Sequence, residues 1–146
     1  MDASNGHSAS IEALATRHHR LGWWALFTFA TLGLVLESLA GMRVDWYVDA
    51  NNETRHTMMR LAHAHGSLLA IVNVVFGLSL RARAAWPRRQ VASACLVTAT
   101  LAIPLGFLLG GVWFYGADPG LGIVLVPLGG ITLLVALGLM ASARST

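Results

Sequence analysis

Apolar residues gather along this chain into four long runs, at about 22–42, 58–80, 90–115 and 120–141, with short polar stretches between them. Each run reaches the roughly 20 residues a helix needs to cross the hydrocarbon of a bilayer. The third and fourth are cleanest, with no charged residue between Val91 and Ala117. Each of these two holds a proline, Pro104 and Pro127, predicted to kink its helix unless a neighbour satisfies the freed carbonyl. In the tight turn Gly116-Ala117-Asp118-Pro119-Gly120, Asp118 suits an N-cap and Pro119 the first helical position. Residues 1–20 read as a polar tail, the first ten disordered, and lack the apolar core of a secretory signal. The pattern predicts an all-α fold: a polytopic integral membrane four-helix bundle, one domain over 1–146.

Composition agrees. Of 146 residues, 55% are apolar and 12% charged, about half the charge of an ordinary soluble domain, and the mean hydropathy is +0.62. That excludes a soluble domain, a disordered chain and, despite the basic balance, a nucleic-acid partner; the lipid bilayer is the expected surrounding. All ten basic residues are arginines, and their placement gives an orientation. Arg81, Arg83, Arg88 and Arg89 crowd the loop between the second and third runs, Arg17 and Arg20 precede the first, and Arg144 follows the last. The 43–57 loop instead holds Asp45, Asp49 and Glu53 against two arginines. The positive-inside rule places both termini in the cytoplasm and that loop outside, as in a bacterial inner membrane. Trp23 and Trp24 are expected at the inner edge, with Trp46, Tyr47, Trp113 and Tyr115 at the outer one. Cys95 is the only cysteine, so no intrachain disulfide and no paired-cysteine metal site can form.

Candidate chemistry sits at the outer end of the second run, Arg60-Leu61-Ala62-His63-Ala64-His65-Gly66-Ser67. Ionisable side chains at membrane depth are costly and face the bundle interior, so they are functional candidates. At 100° per residue His63 and His65 lie about 200° apart and cannot chelate one ion together on a regular helix. His63 shares its face with Met59, Gly66, Ser67 and Ala70, and Ala62, Gly66 and Ala70 form a small-residue run that admits a close helix or a flat cofactor. His65 shares its face with Leu61, Leu69, Val72 and Phe76. Glu37 lies at matching depth on the first run, flanked by Gly33 and Gly41, and is expected to orient His63 by accepting its ring proton. The first and second helices are expected to pack through Gly33, Glu37 and Gly41 against Ala62, Gly66 and Ala70. For each polar residue the alternative is a pinning role: a buried histidine bonded to a neighbouring helix, or a buried Glu–Arg or Glu–His pair.

The segment from Arg60 to Gly66 resembles the second helix of subunit I in the haem–copper oxidase and nitric oxide reductase superfamily, in which an R-x-x-H or A-H-G segment near the outer face carries an axial ligand of the low-spin haem. The resemblance implies haem b as cofactor and a redox role near the outer membrane face. His63 would ligate the metal if Arg60-x-x-His63 is the register, or His65 if Ala64-His65-Gly66 is, with Arg60 available for a propionate. The other three runs contain no histidine, which excludes a complete oxidase; a bis-histidine haem then requires a homo-oligomer or a larger membrane complex. A second resemblance, by size and four spans, is to the membrane-associated proteins of eicosanoid and glutathione metabolism. Their second helix carries R-A-H-x-N-x-x-E; Arg60 and His63 echo it without the asparagine and glutamate. The remaining class is a non-catalytic accessory subunit whose polar residues hold helices together.

Overall fold

The computed structural model describes residues 2–50, 52–82, 86 and 88–143, with side chains from Ser8 onward; Arg83 and Arg144, used above for orientation, lie outside the described residues. Helix α1 runs Asp2–Gly41, α2 Thr54–Ala82 and α3 Arg89–Val112; a short 3-10 turn, Leu121–Val124, leads into α4, Leu125–Ala141. Four segments, Ser8–Gly41, Thr54–Ala82, Arg89–Val112 and Leu121–Ala141, are long and apolar enough to cross a membrane. The protein is an all-α, membrane-spanning four-helix bundle.

The helices pack in chain order, α1 on α2, α2 on α3 and α3 on α4. Only 11% of the most apolar window is buried in each of the first and last spans, against 39% and 44% in the middle two. The middle helices therefore make the core, while the first and last leave most of their apolar surface on the outside of the bundle, compatible with contact with a lipid bilayer. At the end carrying the termini, Leu14, Phe76, Leu80, Trp86, Leu96 and Ala136 form one cluster drawn from all four helices. At the opposite, loop end, Leu36, Tyr47 and Met59 pack with Leu108 and Val112.

Several expectations shift. The stretch 1–20, read as a tail, is helical from Asp2, and it places Leu14, Ala15 and His18 in the interior. Apolar residues at Ile11, Leu14 and Ala15 continue a helical stripe that the surrounding polar residues mask. At 1.5 Å per residue the 40 residues of α1 extend about 60 Å, twice a bilayer's hydrocarbon thickness. The register follows. Gly22 lies against Ala70 and Val74, so Trp23 and Trp24 sit level with the middle of α2 rather than at its Ala82 end. Pro127 falls in the first turn of α4, where no intrahelical N–H is lost, and α3 continues through the buried Pro104. Asp118 is not a cap: it exchanges backbone hydrogen bonds with Tyr115 at 3.0 and 3.1 Å around Gly116, whose φ of +60° suits glycine.

The loop end is tied down by side chains. The Arg55 guanidinium lies 4.5 Å from the Trp46 ring centroid and 4.9 Å from that of Phe114, and its Nη1 donates to the Trp46 carbonyl at 2.6 Å. Asn52 Nδ2 donates to the Gly116 carbonyl, and Thr54 Oγ1 to that of Ala117 at 2.8 Å. These contacts hold the 42–53 loop and the α3–α4 turn over one end of the bundle.

Candidate functional site

The expected seam between α1 and α2 forms, and its small residues are used in a specific way. A Cβ on Gly33 would lie 2.3 Å from the His63 ring, and one on Gly66 would lie 2.3 Å from the Phe29 ring. Each glycine thus receives a ring from the facing helix, and Ala62 and Ala70 are fully buried beside them. Gly41 has nothing within 4 Å; the seam ends before it.

His63 is held by the backbone of α1. Its Nδ1 donates to the Phe29 carbonyl at 2.7 Å; a carbonyl only accepts, so Nδ1 carries the proton and a neutral ring leaves Nε2 as the acceptor. That Nε2 makes no hydrogen bond among the described residues and is not sealed in the interior. The Phe29 carbonyl therefore fills the orienting role expected of Glu37. Glu37 stands one turn nearer the loop end, where it lines with His63, Arg60, Gly33, Leu36 and Leu61 a groove of about 410 Å³. Both Glu37 and Arg60 are exposed, and no ion pair joins them among the described residues. Tyr47 is buried between the loop and the helices, its ring centroid 4.9 Å from that of His56. Burial pushes its phenol pKa up; Arg60 pulls it down and Glu37 pushes it up further.

His65 faces the other way, as the angular spacing predicts. Its Nδ1 donates to the Leu61 carbonyl at 2.9 Å, and its ring centroid lies 4.8 Å from that of Phe107 on α3. Of the four residues singled out by sequence, the fold brings Glu37, Arg60 and His63 to one groove and leaves His65 outside it. Among the described residues no group of three or more His, Cys, Asp or Glu side chains is placed to hold a metal ion.

A second polar centre lies nearer the terminal end, and sequence reasoning missed it. His18 is fully buried, its ring edge-on to Phe76 at 4.5 Å. Asn73 Nδ2 donates to the Leu69 carbonyl at 2.8 Å and to Thr100 Oγ1 at 2.7 Å, which turns its Oδ1 toward His18. His18 Nδ1 donates to that oxygen at 2.8 Å, and Nε2 accepts from Ser93 Oγ at 2.7 Å. Thr100 Oγ1 in turn donates to the Leu96 carbonyl at 2.7 Å. The chain of bonds links α1, α2 and α3 with each of its donors matched to an acceptor. The signal available in the sequence was Asn73, a strongly polar residue deep in the second run.

The chain matches no family model, no curated protein and no solved structure. The functional reading therefore rests on the geometry of this groove.

Proposed function

We propose that this protein is a small membrane subunit with a redox-linked binding role, in which the α1–α2 groove takes up an electron-carrying cofactor and His63 engages it. The observation that carries the reading is the commitment of His63 Nδ1 to the Phe29 carbonyl, which leaves a fixed, unpaired Nε2 at a groove also lined by Arg60 and Glu37. Facing membrane helices seldom bring three ionisable groups to one groove without a function for them. In the proposed setting, a bacterial inner membrane with the arginine-rich end in the cytoplasm, the groove lies toward the outer face.

Haem b, the cofactor implied by the oxidase resemblance, finds half of its site. A histidine whose Nδ1–H is held by a carbonyl is oriented as metal-ligating histidines are, and Arg60 could hold a propionate. The small-residue face beside His63, however, is filled by the Phe29 ring and by α1 at Gly33. His65 is turned away toward Phe107, so a second axial ligand would come from another copy or another subunit.

Purified protein distinguishes these cases through its visible spectrum, its metal content and an organic-solvent extract. A retained cofactor that His63→Ala releases and His65→Ala leaves in place supports the reading. A colourless, metal-free protein with an empty extract overturns it in favour of an accessory subunit, a role favoured by the closed His18–Asn73 network.

A further inference from the structure

The unpaired groups of the groove specify what would satisfy them. Neutral His63 presents Nε2 as an acceptor, because its only proton is directed at Phe29. Ionised Glu37 is likewise an acceptor, whereas Arg60 can only donate. A matching head must therefore supply two donors and at least one acceptor within a groove of about 410 Å³. A carboxylate or phosphate alone brings only acceptors and meets the negative charge of Glu37. A bare cation brings no acceptor and meets the charge of Arg60.

The walls add a second constraint. Every lining residue comes from α1 or α2, with Leu36 and Leu61 among them and no contribution from α3 or α4. The groove follows a helix seam on the side of a membrane-spanning bundle, at a depth set by Arg60, six residues or about 9 Å beyond the first residue of α2. With α2 about 43 Å long against about 30 Å of hydrocarbon, that depth falls near the edge of the apolar layer, where an amphipathic ligand dissolved in the bilayer can reach the seam.

We infer that the groove binds the head of a membrane-soluble quinol, its ring hydroxyls donating to His63 Nε2 and Glu37, with Arg60 donating to a ring oxygen. A phenolic hydroxyl both donates and accepts, so a single aromatic diol meets all three groups, and Leu36 and Leu61 offer the apolar wall its ring requires. This rests on the redox-linked reading of the same groove and narrows the cofactor from a metal macrocycle to a diol.

Decylubiquinol titrated under anaerobic conditions into the full chain in phosphatidylcholine nanodiscs, followed by calorimetry, tests the inference against the dimethyl ether of the same diol, which lacks both O–H donors. The diol is expected to bind about ten-fold or more tightly than the ether, the scale of one hydrogen bond to a charged group. Glu37→Gln and His63→Ala should each weaken the diol by about the same factor, with His65→Ala matching the unmodified protein. Glu37 is exposed, so its variant tests binding even where His63→Ala fails to fold. Equal affinity for diol and ether overturns the inference. So does loss of diol binding in phosphatidylethanolamine discs, whose ammonium and phosphate could meet the same three groups, and so does a haem absorption band that depends on His63. The last outcome leaves the redox-linked reading standing, whereas absence of any retained or added cofactor removes both.

Discussion

The two polar centres of this protein both bridge α1 and α2, the one at His18 reaching α3 as well, and they are built on opposite terms. Around His18 the polar groups are satisfied inside the protein: both ring nitrogens, both amide groups of Asn73 and the hydroxyls of Ser93 and Thr100 are engaged within the bundle. Around His63 one side-chain bond, to Phe29, is made among the described residues, and Arg60, Glu37 and Nε2 have no hydrogen-bond partner among them. A polar group without partners in a low-dielectric surrounding is costly. A closed centre returns stability and helix register, whereas an open one returns binding. The comparison separates a histidine with both ring nitrogens bonded from one with a single bonded nitrogen, a difference that burial or sequence position alone does not reveal.

The sharpest way to break the comparison is at the closed centre. Asn73→Leu strands the His18 N–H and removes the bond to Thr100. It should destabilise the bundle by about 2–4 kcal/mol, the sum of orphaned donors and lost bonds, read as a lower midpoint in thermal or SDS unfolding. A midpoint unchanged from the parent would mean that water replaces the network at no cost. A double-mutant cycle of His18→Phe with Asn73→Leu should show coupling of roughly 1 kcal/mol.

Next in size is the seam that positions His63. Gly33→Ala places a methyl 2.3 Å from the imidazole ring, and relief requires the ring or the helix to move, at about 1–3 kcal/mol. The displaced ring should also lose its bond to Phe29, so cofactor retention should fall with stability. Retention without change would detach the groove from the ring's orientation.

At the open centre stability should barely move. Glu37→Gln alters an exposed carboxylate that has no ion pair among the described residues, so the unfolding midpoint is expected to correspond to a change within about 0.5 kcal/mol, while binding of the proposed ligand should drop. A stability loss comparable to that of Asn73→Leu would recast Glu37 as a structural residue. Smallest of all is Gly41→Ala, where nothing lies within 4 Å; no loss of folding or binding is expected in either assay.

Much of the architecture was legible in the residues. Four apolar runs, one cluster of arginines between the middle two and the angular separation of His63 from His65 led to the helices, their order and the opposed directions of the two rings. Glu37, Arg60 and His63 were legible as candidates because ionisable residues are conspicuous in apolar runs. His18 was not, because it stands among Arg17, His19 and Arg20, where a buried histidine looks like one more polar residue of a tail. The role of Phe29 was equally hidden, since a backbone carbonyl is common to every residue.

By itself, then, the sequence determined the elements: hydrophobic length sets how many helices cross the membrane, and periodicity sets which side of α2 each histidine occupies. Only the tertiary structure decided which polar groups are spent and which are free. That choice depends on the register between antiparallel helices, fixed where Gly33 and Gly66 each admit a ring from the opposite helix. A shift by one turn would give His63 a different carbonyl and Asn73 a different partner. Short-range packing between residues far apart in the chain, such as Phe29 and His63 at 34 positions, carries that information, and no local pattern along either helix contains it.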